Sequence, residues 1–112
     1  MQLPRANELR VEREKIVDYL LNPAHPDNGG KAEFFLDLGF RPGQWQTLAA
    51  AFREAAGKHM VSKRMASSHG TKYFVESRIE TPSGKTPWVR TVWIVDLGLD
   101  IRRLVTAYPC GE

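Results

Sequence analysis

The sequence predicts an α+β domain in which three N-terminal helices pack on one face of a four-stranded antiparallel sheet. Three observations lead there. Helix-period segments fill the first half of the 112 residues, and strand-like runs joined by turn residues fill the second. The last runs also place their polar residues on one face, as expected of a sheet covered on one side only. The expected unit is one domain, residues 1–112, with a helical layer over about 11–57 and a sheet over about 59–108.

The elements follow in order. Val11 to Leu21 reads as a helix because Ile16, Val17, Leu20 and Leu21 lie at helical spacing, with Glu12 and Glu14 near its favourable N-terminal end. Asn22-Pro23 stops it, and the turn residues of PAHPDNGG follow. A short helix over Lys31–Leu38 buries some of Phe34, Phe35 and Leu38 and ends at Gly39. Pro42 suits the first turn of a third helix, whose apolar stripe is Trp45, Leu48, Ala49, Phe52, Ala55 and Ala56.

Strands are expected over His59–Ala66, Thr71–Glu80, Trp88–Asp96 and Arg102–Tyr108, separated by SSHG, TPSGKTP and LGLD. Period-two alternation puts Tyr73, Val75 and Ile79 on a buried face, against Trp45, Leu48 and Phe52. Lys72, Glu76, Arg78 and Glu80 then point outward. In the last strand the same alternation groups Val105 with Ala107, and Leu104 with Thr106 and Tyr108.

The net charge of +3 is uneven: residues 1–57 hold seven Lys/Arg and eight Asp/Glu, residues 58–112 nine and five. The positive field therefore belongs to the expected sheet and favours anions and polyanions. No apolar run approaches the ~20 residues of a membrane span. The N-terminus is charged where a signal peptide needs an apolar segment, so the expected location is the cytoplasm. Cys110, the only cysteine, cannot form an internal disulfide and is read as part of a frayed tail.

Several chemistries lack their residues. His25, His59 and His69 are scattered, with no metal-ligand spacing. GGKAEFF has no preceding strand and no Ser or Thr after Lys31, so it is not a nucleotide-binding loop. No serine stands in a nucleophile elbow. Neither metal nor cofactor is expected.

Acid–base and electrostatic chemistry on a phosphate remains. RNA cleavage needs no cofactor, since the 2′-hydroxyl is the nucleophile and the protein moves protons and stabilises charge on phosphorus. Glu76 or His69 is the candidate base. Lys72, Arg78 and Arg90 supply charge, and Thr106 and Tyr108 supply hydrogen bonds or a proton. Tyr108 and an outward Trp93 would stack on bases. Lys31, at a helix start among free N–H groups, is a candidate anion site. The ordinary roles compete: Glu76 and Arg78 as cross-strand ion-pair partners, Trp93 as core, Lys31 as a surface lysine.

The succession KIVDYLLN, HP…GGKAEFF, LGF, GTKYFVE, VRTVW and RLVTAYP resembles an uncharacterised family of small bacterial proteins along nearly the whole chain. More remotely it resembles the barnase–EndoU–colicin–RelE nuclease superfamily. That resemblance implies helices packed on a four-stranded antiparallel sheet and a toxin-like, metal-independent endoribonuclease. Its site would draw on Lys31, Lys72, Thr106 and Tyr108, and its partners would be RNA and a neutralising antitoxin-like protein. The alternative is a non-catalytic RNA- or protein-binding module of the same fold.

Overall fold

The computed structural model describes residues 9–99 and 101–111; residues 1–8, Asp100 of the expected LGLD turn and Glu112 lie outside them. A short strand β1 (Leu9–Arg10) precedes helix α1 (Arg13–Lys15), which runs straight into a π-helical turn (Ile16–Leu20). Helix α2 (Lys31–Asp37) follows, then a 3₁₀ turn (Pro42–Gln44) leading into α3 (Trp45–Lys58). The remaining strands are β2 (Val61–Ser67), β3 (Gly70–Arg78), β4 (Trp88–Asp96) and β5 (Arg102–Pro109).

The sheet corrects the expected architecture. It has five strands in the order β1-β5-β4-β3-β2, and it is mixed because β1 pairs parallel to β5 through Leu9↔Arg102 and Arg10↔Arg103. A strand therefore precedes the helices, so they are not N-terminal to the whole sheet. Two residues carry no alternation to read, and parallel pairing joins segments distant in sequence. The first helix is also not a regular α-helix: Leu21 N–H bonds the Ile16 carbonyl at 2.8 Å, five residues back.

One face of the sheet is covered by the helices. Leu48 and Phe52 of α3 share a buried cluster with Val75, Ile79, Trp93, Leu104 and Ala107, and Trp45 and Tyr73 pack at its margin. Phe35 meets Phe52 edge to face, ring centroids 5.7 Å apart. Inside this core Trp93 Nε1 donates to Thr91 Oγ1 at 2.9 Å, and Thr91 donates to the Val75 carbonyl at 3.3 Å. The buried indole N–H and hydroxyl are thus both satisfied.

The facing of β5 is a second correction. Thr91 pairs with Ala107 and Val92 with Thr106, but Trp93 pairs with Leu104, leaving Val105 as one extra residue. This β-bulge shifts the phase by one. Leu104 and Ala107 both enter the core, while Thr106 and Tyr108 stay on the other face. A similar irregularity in β2, between Val61 and Lys63, pairs Val61 with Val75 and Lys63 with Phe74. Val61 therefore does not share the face of Lys63 and Met65. At the β2–β3 turn Gly70 has φ +148°, and a Cβ there would lie 2.3 Å from the Val95 carbonyl oxygen, so only glycine fits.

No helix among the described residues is long and apolar enough to cross a membrane. Phe52, with no exposure, joins the helical layer to the sheet. Its truncation to alanine should cost about 3–5 kcal/mol in urea unfolding, and an unchanged midpoint would count against this core.

Candidate functional site on the open sheet face

Strand register arranges the uncovered face in rows. Glu76, Arg90 and Tyr108 lie side by side on β3, β4 and β5. The next row toward one end holds Arg78 and Trp88. Toward the other end lie Lys63, Phe74, Val92 and Thr106, then Met65, Lys72, Ile94 and Arg103.

The Glu76–Arg90–Tyr108 row is one hydrogen-bonded unit. Arg90 Nε donates to Glu76 Oε2 at 2.6 Å, and Arg90 Nη2 donates to the same oxygen. Arg90 Nη1 donates to the Tyr108 hydroxyl at 3.3 Å, which leaves the Tyr108 O–H to donate elsewhere. The Tyr108 hydroxyl and the Glu76 carboxylate raise the Arg90 guanidinium above its ordinary value, so it stays charged.

Beyond Arg103 no described strand pairs with the outer edge of β5, and a loop of the helical layer comes up beside it. Tyr19, from the π-helical turn, places its hydroxyl 3.0 Å from Thr106 Oγ1. Lys31 Nζ lies 5.6 Å from the Tyr19 ring centroid, and Lys15 Nζ 5.4 Å. Lys31 and Tyr108 then line a cleft of about 270 Å³ with Gly29, Gly30 and Pro109.

Asn28 holds that loop. It is buried, with Nδ2 donating to the Tyr19 carbonyl at 2.6 Å and Oδ1 accepting the Ala32 N–H at 2.8 Å. The Lys31 N–H bonds the Asn28 carbonyl at 3.2 Å. These contacts revise the expected anion site. The N–H groups of Lys31 and Ala32 are already bonded, so the ammonium of Lys31 carries any attraction for anions.

Lys31, Glu76, Arg90, Thr106 and Tyr108 are thus gathered, and Arg78 lies one row away. Lys72 shares the face but stands four residues from Glu76 along β3, about 13 Å. His69 sits in the β2–β3 turn, about 20 Å along the strand from that row, and does not join it. Trp93 has no exposure and belongs to the core, not to a stacking surface. Cys110 is not frayed: its N–H continues the pairing by bonding the Trp88 carbonyl at 3.1 Å. Burial, then the Glu76 charge, push its thiol up, making it a weak nucleophile.

Sequence reasoning missed Tyr19, Asn28, Phe74 and Trp88. Asn28 had a signal, since Asn just ahead of a helix is a capping residue, but the Asn-Gly-Gly run reads equally as a turn. Among the described residues no three His, Cys, Asp or Glu side chains gather. A larger cleft of about 760 Å³ lies between α3 and the β3–β4 loop, floored by Ala51, Ala55 and Ile79. Of the candidate residues it reaches only Arg78.

Fold and site together define a small α+β protein whose open sheet face presents an acid, cations and hydroxyls. The fold is shared with a chain of a contact-dependent growth inhibition toxin–immunity protein complex from Klebsiella pneumoniae 342. The TM-score is 0.71 at 21% identity, over 91% of this chain and 93% of that one. The chain belongs to the family described as Domain of unknown function (DUF6883), whose model matches residues 2–111. No curated protein matches the sequence.

Tyr19→Phe removes only the hydroxyl that meets Thr106. It should lower stability by about 0.5–1.5 kcal/mol in urea unfolding, and no loss would mean that the contact does not hold the loop. Farther along the face Arg103 donates to Asp96 at 2.8 and 3.1 Å, and this pairing holds the Asp96 carboxyl below its ordinary value. The stabilisation is complete above the unfolded value, about pH 4, and is lost as pH falls through the folded one. Asp96→Asn should therefore flatten the acid limb of the stability–pH curve below about pH 4.

Proposed function

We propose that this chain is a toxin-like, metal-independent endoribonuclease that cleaves RNA by general acid–base and electrostatic catalysis. The observation that carries the reading is the meeting of Lys31 and Tyr108 in one cleft, with Glu76 and Arg90 in the same row as Tyr108. Glu76 takes the proton of the 2′-hydroxyl as its oxygen attacks phosphorus. The P–O5′ bond breaks, and Tyr108 or Lys31 returns a proton to the leaving oxygen. Arg90 and Lys31 neutralise the pentavalent phosphate, and Thr106, held by Tyr19, hydrogen-bonds a phosphate oxygen. Lys72 and Arg78 bind the flanking backbone. The remote nuclease resemblance and the fold shared with a chain of a toxin–immunity complex support the reading. On it the protein acts on RNA in a cytoplasm, and a neutralising immunity- or antitoxin-like protein covers the open face.

One observation favours the alternative, a non-catalytic RNA- or protein-binding module. Glu76 Oε2 already accepts two N–H groups of Arg90, which occupies the candidate base.

Purified protein should cut RNA in excess EDTA, spare DNA and leave 2′,3′-cyclic phosphate ends. Strict dependence on a divalent metal, or no cleavage, would reject the enzyme. Glu76→Gln and Lys31→Ala should each slow cleavage by about 10²-fold or more, Glu76→Gln with little change in RNA affinity. Lys72→Ala should weaken binding and lower its salt dependence by a slope of about one. In a binding module the Lys72→Ala effect appears with no cleavage to lose.

A further inference from the structure

Three rings on the described residues of the open face lie under cations. Lys63 Nζ sits 5.5 Å from the Phe74 ring centroid, the Arg78 guanidinium 5.4 Å from Trp88, and the Arg90 guanidinium 5.6 Å from Tyr108. Their positions relative to the Glu76–Arg90–Tyr108 row differ. Tyr108 lies within it, Trp88 one row to one side, and Phe74 one row to the other. Phe74 and Trp88 are four residues apart along the strands and one strand across, a separation of about 14 Å. Strands β2 to β5 add five cations to this face, Lys63, Lys72, Arg78, Arg90 and Arg103, against the carboxylates Glu76 and Asp96.

From this arrangement we infer that the substrate is unpaired RNA, held by stacking one base on Phe74 and another on Trp88, with the reacting phosphodiester over the row between them. The inference rests on the RNA-directed reading above and adds the form of the RNA. A duplex hides its base faces within its own stack, whereas an unpaired strand offers each base to a ring. The indole Nε1 of Trp88 is buried and without a partner, so any contact of Trp88 with a base is through its ring and not through that N–H. Lys63 and Arg78 have long, flexible stems and exposed positions. They cover the rings in the free chain and move to the neighbouring phosphates when bases replace them, which keeps the cationic charge beside the backbone.

The test uses a fluorescein-labelled, unstructured 2′-O-methyl oligoribonucleotide, which cannot be cleaved, alone and annealed to its complement. Affinity for the single strand should exceed that for the duplex by about ten-fold or more, and Phe74→Leu and Trp88→Leu should each weaken it about ten-fold with the salt slope unchanged. Lys63→Gln should instead reduce the salt slope by about one. Phe74 and Trp88 are both half-buried, and Phe74→Leu, the smaller change in volume, decides the matter if Trp88→Leu fails to fold. Equal or tighter binding of the duplex, or unchanged affinity in Phe74→Leu, overturns the inference even if the protein cuts RNA. No binding to either form at low salt also overturns it and leaves the face to a protein partner. Ring-dependent binding of the single strand without cleavage of ordinary RNA would uphold the platform and reject the enzyme.

Discussion

The extra residue in β5 is the constraint on which the rest of the molecule depends. Strict alternation through this strand would put Leu104 on the same face as Thr106 and Tyr108. The bulge at Val105 instead turns Leu104 and Ala107 into the core and leaves both hydroxyls on the open face. Burying a leucine contributes about 1.5–3 kcal/mol, whereas a buried tyrosine or threonine hydroxyl needs a partner. Both preferences are met only because the phase slips by one. β5 is also the only described strand that pairs with β1, so its register joins the first strand to the hairpins.

Because the phase slip keeps Thr106 and Tyr108 outside, two layers meet at the outer edge of β5. The helical layer contributes Tyr19 and Lys31, held by the buried amide of Asn28, and the sheet contributes Thr106 and Tyr108. Their placement follows from packing more than from charge. Arg90 then fixes the central row, bonding Glu76 on one neighbouring strand and Tyr108 on the other. A guanidinium suits this position because its planar fork satisfies two partners at once, which a lysine ammonium does with less geometric control. The row is thereby ordered by the protein's own hydrogen bonds.

Most charged side chains of the polar face are engaged with rings or with one another. Lys63, Arg78 and Arg90 lie over rings, Arg90 and Arg103 pair with carboxylates across strands, and both carboxylates bond guanidinium groups. Such pairs give modest stability where they are exposed. They also keep aromatic surface covered in the free protein and leave a positive field over it. That combination suits a polyanion with stackable rings, and it is compatible with a protein partner that covers the same face.

Much of this was legible in the sequence. Helical spacing of Leu48, Ala49, Phe52, Ala55 and Ala56 located α3, and alternation of Val75 and Ile79 against Lys72, Glu76 and Arg78 assigned the faces of β3. The positive balance of the second half placed the cationic field on the sheet. These features are local, since a period of 3.6 or 2 is written into neighbouring residues. β1, the bulge in β5, the burial of Trp93 and the exclusion of His69 were not legible. Each depends on which distant segment lies alongside: a two-residue strand has no period, an apolar run such as WVRTVWIVD suits either face, and one inserted residue reverses all that follow it. The residue types available for chemistry were therefore determined by the sequence alone. Which of them share a site was decided by the tertiary structure, because register and layer contact are set by packing the whole core at once.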